Sequence, residues 1–268
     1  MFDEIIVAIE GTDRDIVVAT LAAALARQLN VSWSVVSVVV SADAIRPQQE
    51  NLKSRLAKVG LAEAHIEVVE DRDAAKRITA YFQQRPGALS CLSTHARPPV
   101  GEALFGSVAA EVVRGARTPV VVAGPSFQPR HDLNVQSVLV CLDTSELSEA
   151  ILPHATEVSQ RTGAKPWLVQ VLRPDRVGLR TASDTMGESS YLRREARRLR
   201  DDRGIAAEWD VLHGDDPGKS IADYARGLPG AMIAMTTHGR SGLSQLVAGS
   251  VAHHAIRNAD CPVLVVRP

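Results

Sequence analysis

Cysteine is scarce in this sequence, and no long apolar run or excess of charge of one sign is present. The three cysteines, Cys91, Cys141 and Cys261, lie far apart, and their odd number suits neither a disulfide framework nor a zinc site. Their scarcity favours a reducing cytoplasm. No apolar stretch reaches the length needed to span a bilayer. Lysine and arginine total 30 against 31 acids, a formal net charge of -1, so no global field favours nucleic acid or an anionic membrane. Met1 to Glu10 carries acids at Asp3 and Glu4 and no basic cluster, which argues against a secretory signal.

The usual catalytic signatures are missing too. There is no Gly-x-Ser-x-Gly elbow, no Walker A Gly-Lys-Ser/Thr, no His-Glu-x-x-His and no paired Cys-x-x-Cys. A Ser-Gly-Gly-x-Asp-Ser pyrophosphate loop is absent as well. No catalytic set stands out, and the expectation is a binding protein rather than an enzyme. A slow ATPase would need a positioned base, for which His213 and His238 are the candidates.

What is present is a repeat. Residues 94–123 align without gaps on 237–266, with twelve identities that include Thr94/Thr237, His95/His238, Gly106/Gly249, Ser107/Ser250 and Pro119/Pro262. Chance would supply roughly two in thirty positions. The chain is therefore read as a duplicated unit, with one copy over 1–124 and another over 135–268. The aperiodic stretch Gly124 to Asn134, with Pro125 and Pro129, reads as the linker.

Each copy opens alike. Ile5 to Ile9 precedes Glu10-Gly11-Thr12, and Val138 to Leu142 precedes Asp143-Thr144-Ser145. An apolar run ending in an acid and small polar residues reads as a buried parallel strand leading to a helix. In copy one the pattern predicts helices near 13–29, 46–59, 73–85 and 107–116. Strands are predicted near 32–40, 64–69, 88–93 and 119–123. Copy two repeats the order and ends in a strand at 262–266. Alternating strands and helices imply α/β, doubly wound, Rossmann-like domains with parallel five-stranded sheets. Pro153 falls inside the first helix of copy two, so a kink or late start is expected there. Copy two is about ten residues longer, around Pro174 to Ser190, in a polar stretch that reads as a loop, with a lid as the alternative.

The informative segment runs from Thr236 through Gly239, Arg240 and Gly242 to Gly249-Ser250, between an apolar strand and a helix start. Ligands of open parallel sheets bind beyond the carboxyl ends of the strands. Glycines let backbone amides approach phosphate oxygens, and a helix start adds unpaired N–H groups. Ser250 is expected to cap this helix or to donate its hydroxyl to a phosphate.

On these residues the whole chain resembles a tandem universal stress protein. That family's ATP pattern is Gly, two residues, Gly, nine residues, then Gly-Ser or Gly-Thr. Copy two reads Thr236, two residues, Gly239, nine residues, Gly249-Ser250. The flanks Thr-His-Gly-Arg-Ser-Gly-Leu and Asp-Cys-Pro-Val-Leu-Val-Val are also characteristic. The resemblance implies an ATP site in copy two. Asp143 and Thr144 would lie near the nucleoside, and Val171 near adenine. Gly239, Gly249, Ser250 and Val251 would contact the phosphates, and Met235 and Thr236 complete the nucleotide-binding set. It also implies a nucleotide-dependent stress-response regulator, an adenine-nucleotide alpha hydrolase-like fold, and Mg²⁺ accompanying the phosphates.

Copy one departs further. It reads Ser93, two residues, Ala96, nine residues, Gly106-Ser107, with Pro98-Pro99 inside the loop. Its second-site set would be Glu10, Gly11, Ser93, Gly106 and Ser107. Thr236 would be strained if its position needs positive φ. These departures support a rival reading, a nucleotide-independent protein-interaction module with decayed sites. The family also pairs terminal strands of two domains, so 119–123 and 262–266 are expected to form an internal pseudo-dimer, with a homodimer of whole chains compatible. The protein partner is not named by the residues.

Blander readings stand beside these. His95 and His238 suit loop-orienting hydrogen bonds. His213 and Asp215 suit a turn with Gly214 and Pro217. His253-His254 point in different directions on a helix and make a poor metal pair. In Tyr191 to Arg200, Leu192, Ala196 and Leu199 form a core-facing stripe, which leaves the arginines solvated with Glu195 nearby.

Overall fold

The apolar run that opens each repeat becomes the central strand of its own sheet. We describe residues 2–94, 106–128, 133–173, 189–237 and 249–268 of a computed structural model. The chain divides into two compact units, Met1–Asn134 and Val135–Val266. His95, Ala96, Pro98, Pro99, His238, Gly239 and the stretch from Pro174 to 188 lie outside the described residues.

Unit 1 runs β1 (Glu4–Ala8), α1 (Asp13–Leu29), β2 (Ser32–Val39), a short 3-10 turn (Ala42–Ala44), α2 (Ile45–Lys58) and β3 (His65–Glu70). It continues with α3 (Ala74–Gln83), β4 (Ala88–Ser93), α4 (Ser107–Gly115) and β5 (Val120–Ala123). Its strands are parallel in the order β3-β2-β1-β4-β5. Ile5, Ile6 and Leu89 are fully buried, as expected for strands covered by helices on both faces. The helix and strand boundaries agree with the sequence reading to within two residues.

Unit 2 runs β6 (Ser137–Cys141), α5 (Glu146–Glu149), α6 (Leu152–Thr162), β7 (Lys165–Leu172), α7 (Ser190–Arg203), β8 (Glu208–His213), α8 (Pro217–Arg226), β9 (Ala231–Thr236), α9 (Ser250–Asn258) and β10 (Val263–Val266). Its sheet has the same parallel order, β8-β7-β6-β9-β10. In both units the chain moves outward from the first strand in one direction and then returns to its other side. That reversal leaves a crevice at the carboxyl ends of the central strands, where ligands of such sheets lie.

Local chemistry places the helices around it. Thr12 caps α1 in a capping box with Asp15. Asp73 and Asp216 cap α3 and α8, accepting from the backbone N–H of Lys76 and Lys219 at 3.0 and 3.1 Å. Pro153 breaks the first helix of unit 2 into α5 and α6, and sits in the opening turn of α6, where a missing N–H is tolerated. Leu192, Ala196 and Leu199 are buried, as the stripe predicts. Glu195 corrects the reading of that helix, because it is buried as well, held by Arg194 at 3.1 Å and Arg198 at 3.5 Å. Burial also pushes the Cys91 and Cys141 thiols up, as befits inert core residues.

Candidate functional site

A cleft of about 530 Å³ opens in unit 2 at the crevice. Three strand ends form its floor. Cys141 ends β6 and Leu142 and Asp143 follow it, Val169 to Leu172 end β7 and Arg173 follows, and Met235 and Thr236 end β9 with Thr237 next. The start of α9, Gly249 to Ala252, and the start of α8, Pro217 and Ile221, make the walls, and Ser148 of α5 adds a hydroxyl.

The cleft therefore gathers Asp143, Val171, Met235, Thr236, Gly249, Ser250 and Val251 from the sequence-derived set. Thr144 stands exposed beside Asp143 and off the cleft's described wall. Gly239 lies outside the described residues. Arg173, Gln170 and Ser148 were missed by the sequence reading, which sought positive charge only inside the phosphate loop. Arg173 follows β7 directly and is exposed, and with Asp143 it makes up the charged lining among the described residues.

Backbone bonds fix the ends of the phosphate loop. Thr237 N–H donates to Val266 at 2.9 Å, and Gly249 N–H donates back to the Thr237 carbonyl. The chain thus leaves β9 and re-enters at α9 from one point. Gly249 is the N-cap of α9, with φ -53° and ψ 154°, and no side chain caps the helix. This corrects the expected role of Ser250, which is the first helical residue and not the cap. An extended glycine there aims the first amides of α9 at the cleft without a side chain in the way.

The backbone strain also falls elsewhere than the sequence suggested. Thr236 ends a regular strand and has no positive φ. Thr144 does, at φ 71°, a left-handed value that a β-branched residue rarely adopts. Asp143 Oδ1 accepts from the Ser145 N–H at 3.1 Å and the Ser145 hydroxyl at 2.5 Å, while Asp143 N–H donates to Ser148 Oγ at 3.2 Å. Ser145, not Asp143, caps α5. The carboxylate is thus oriented beside the cleft rather than spent on the helix.

The corresponding residues of unit 1 share the backbone of unit 2 and differ in their side-chain bonds. Glu10 is exposed, Gly11 has φ 95°, and Gly106 caps α4, which starts at Ser107. Ser93 Oγ donates to Asp15 Oδ1 at 2.8 Å.

The profile of the universal stress protein family matches residues 1–124 and 134–267. The chain belongs to the universal stress protein family. A universal stress protein of Synechocystis is 26% identical over 150 residues, which is 48% of this chain and 96% of that protein. One from Methanocaldococcus jannaschii is 30% identical over 139 residues, 49% of this chain and 82% of its own length. Each of these relatives matches about half of the chain. The crystal structure of a universal stress protein from Archaeoglobus fulgidus superposes with a TM-score of 0.68 at 18% identity, covering 98% of each chain, and so shares the fold.

Among the described residues no helix is long and apolar enough to cross a membrane. None of the described His, Cys, Asp and Glu residues form a group of three or more that could hold a metal ion.

Proposed function

We propose that unit 2 of this universal stress protein binds an adenine nucleotide, ATP with Mg²⁺, and that the chain is a cytoplasmic stress-response protein regulated by that occupancy. One observation carries the reading. Gly249-Ser250, at an uncapped helix start, shares a cleft with Asp143 and Val171.

The chemistry of the walls suits each part of such a ligand. Val169, Val171, Ile221 and Met235 offer apolar surface to a planar base. Asp143 accepts hydrogen bonds from ribose hydroxyls. The first amides of α9, with the positive end of its dipole, face the phosphates. Arg173 adds the cation that the loop supplies to many phosphate sites through lysine.

The test is a calorimetric titration of nucleotide-stripped protein with ATP and Mg²⁺. Saturable binding is expected, and a Gly249→Glu variant should lose it, because bulk and negative charge would stand where the phosphates sit. Heat that is absent at two temperatures would sink the nucleotide reading, since a silent enthalpy at one temperature is exposed by the heat-capacity change at another. Unchanged affinity in Gly249→Glu would remove the site from the start of α9.

A further inference from the structure

The two repeats place equivalent residues at their strand ends, and in unit 1 two side chains, Asp15 and Gln48, tie those ends together. Asp15 stands in the repeat where Ser148 stands in unit 2, and Ser148 lines the cleft. Asp15 is 2% exposed. Its Oδ2 accepts from the backbone N–H of Glu10 at 3.0 Å and of Thr12 at 3.3 Å. Its Oδ1 accepts from Ser93 Oγ, at the carboxyl end of β4. Three donors that converge at the strand ends are thereby taken by an internal carboxylate. A capping box explains the bond from Thr12. The bond from Glu10 has its counterpart in unit 2, where the Asp143 N–H donates to Ser148 Oγ at 3.2 Å, so the bond from Ser93 and the negative charge are what set Asp15 apart.

A second side chain crosses the same crevice. Gln48 of α2 donates from Nε2 to the Glu10 carbonyl at 2.8 Å and to Ser37 Oγ at 3.0 Å. Glu10 follows β1 and Ser37 lies in β2, so Gln48 straps the ends of two neighbouring strands together. The repeat places Gln170 opposite Ser37 and Asp143 opposite Glu10, and both of those line the cleft of unit 2. Leu52 closes over Gly11 on the same helix, 2.9 Å from where a Cβ would lie.

We infer that Asp15 and Gln48 are the residues that decide nucleotide specificity between the repeats: they occupy the unit 1 seat from within and refuse phosphates. The inference rests on the reading of the unit 2 cleft as a nucleotide seat. Asp15 repels a polyanion by like charge at the point where unit 2 offers only a hydroxyl. Gln48 denies the space between the first two strands. The altered phosphate loop of unit 1 is then a consequence of closure rather than its cause.

The experiment counts ATP sites per chain by equilibrium dialysis with Mg²⁺ in four proteins. These are the wild type, Gly249→Glu, Asp15→Ser with Gln48→Ala, and all three substitutions together. Ser at 15 copies Ser148, and Thr12 can still cap α1. One site is expected in the wild type and none in Gly249→Glu. The Asp15→Ser/Gln48→Ala pair should gain one site on either background. If the pair is folded by circular dichroism and gains none, the inference is overturned. Two sites in the wild type, or one surviving in Gly249→Glu that a further Gly106→Glu substitution removes, overturn it as well. A wild type that takes up no ATP sinks the reading of unit 2, while the gain or its absence in the pair still decides the role of Asp15 and Gln48. Should the pair fail to fold, Asp15→Asn with Gln48→Ala removes the charge and the strap while an amide still replaces the carboxylate at the start of α1. A gained site in that variant supports the inference, and none overturns it.

Discussion

Gly11 and Thr144 occupy the same place in the two repeats, one residue past the acid that follows the first strand, and both adopt left-handed φ, 95° and 71°. The turn demands that conformation in each copy. Only in unit 1 does the sequence supply the residue that adopts it without strain. A left-handed threonine costs about 1–3 kcal/mol, a cost found most often beside functional sites. Thr144→Gly should therefore raise the stability of unit 2 by about 1 kcal/mol, after about 0.5–1 kcal/mol is lost to the added freedom of the unfolded chain. Gly11→Ala should act oppositely, lowering unit 1 by roughly 2 kcal/mol, because the new Cβ meets Leu52 Cδ2 at 2.9 Å in an unfavourable φ. Urea unfolding that resolves the two units checks both signs, and a stability loss in Thr144→Gly would show that the threonine side chain earns its place by contact.

Gly218 is where α8 meets α9. A Cβ there would lie 2.6 Å from the Val251 carbonyl oxygen and 2.7 Å from the Ala255 nitrogen, both backbone atoms that cannot rotate aside. Gly218→Ala should cost about 2–3 kcal/mol by overpacking. Because Pro217 and Val251 both line the cleft, the same substitution should weaken nucleotide binding more than a cavity mutation in β8 of equal thermodynamic cost. Thermal unfolding alongside a titration separates the two effects. A variant with wild-type melting would mean that the helices separate without penalty.

The alternation of apolar runs and helix starts was legible because the central strands are buried on both faces and α1, α3, α5 and α8 carry side-chain caps. The start of α9 was visible in Gly249-Ser250, although no side chain caps that helix. What the sequence hid is long-range or conformational. Ser93 and Asp15 are 78 residues apart, and nothing in either segment announces the bond. Glu195 lies in an arginine-rich run that looks solvated, yet the fold buries it beneath its own arginines. Thr144 defeats propensity outright, since a β-branched residue argues against the turn it makes. Arg173 was passed over because a cation just after a strand has no motif, and only the cleft gives it meaning.

Asp216 caps α8 and also meets the His254 ring of α9 at 2.9 Å. Burial by itself would raise its carboxyl, but the Lys219 N–H and the His254 ring outweigh that and hold it below the ordinary value. A carboxyl depressed in the folded state adds stability above its unfolded value, about pH 3.9, and loses it as pH falls through the folded value. The pair is largely exposed, so screening limits its worth to about 0.5 kcal/mol. Asp216→Asn retains a good N-cap and removes the charge. The variant should be slightly less stable than the wild type at pH 6, and the difference should close below about pH 3.5. A gap that persists at pH 3 would assign the loss to shape rather than charge.

Arg173 gives the nucleotide reading its sharpest electrostatic consequence. It lines the cleft at the end of β7, and no carboxylate among the described residues forms an ion pair with it. A phosphate contact to an exposed arginine is worth about 1 kcal/mol, so Arg173→Gln should weaken ATP roughly five- to tenfold. The loss should shrink as salt rises, because screening weakens the wild-type contact and leaves the glutamine variant nearly unchanged. Adenosine carries no phosphate, so its affinity should be the same in both proteins. An equal loss for adenosine and ATP would place Arg173 against the base instead, and the phosphates would then depend on α9 alone.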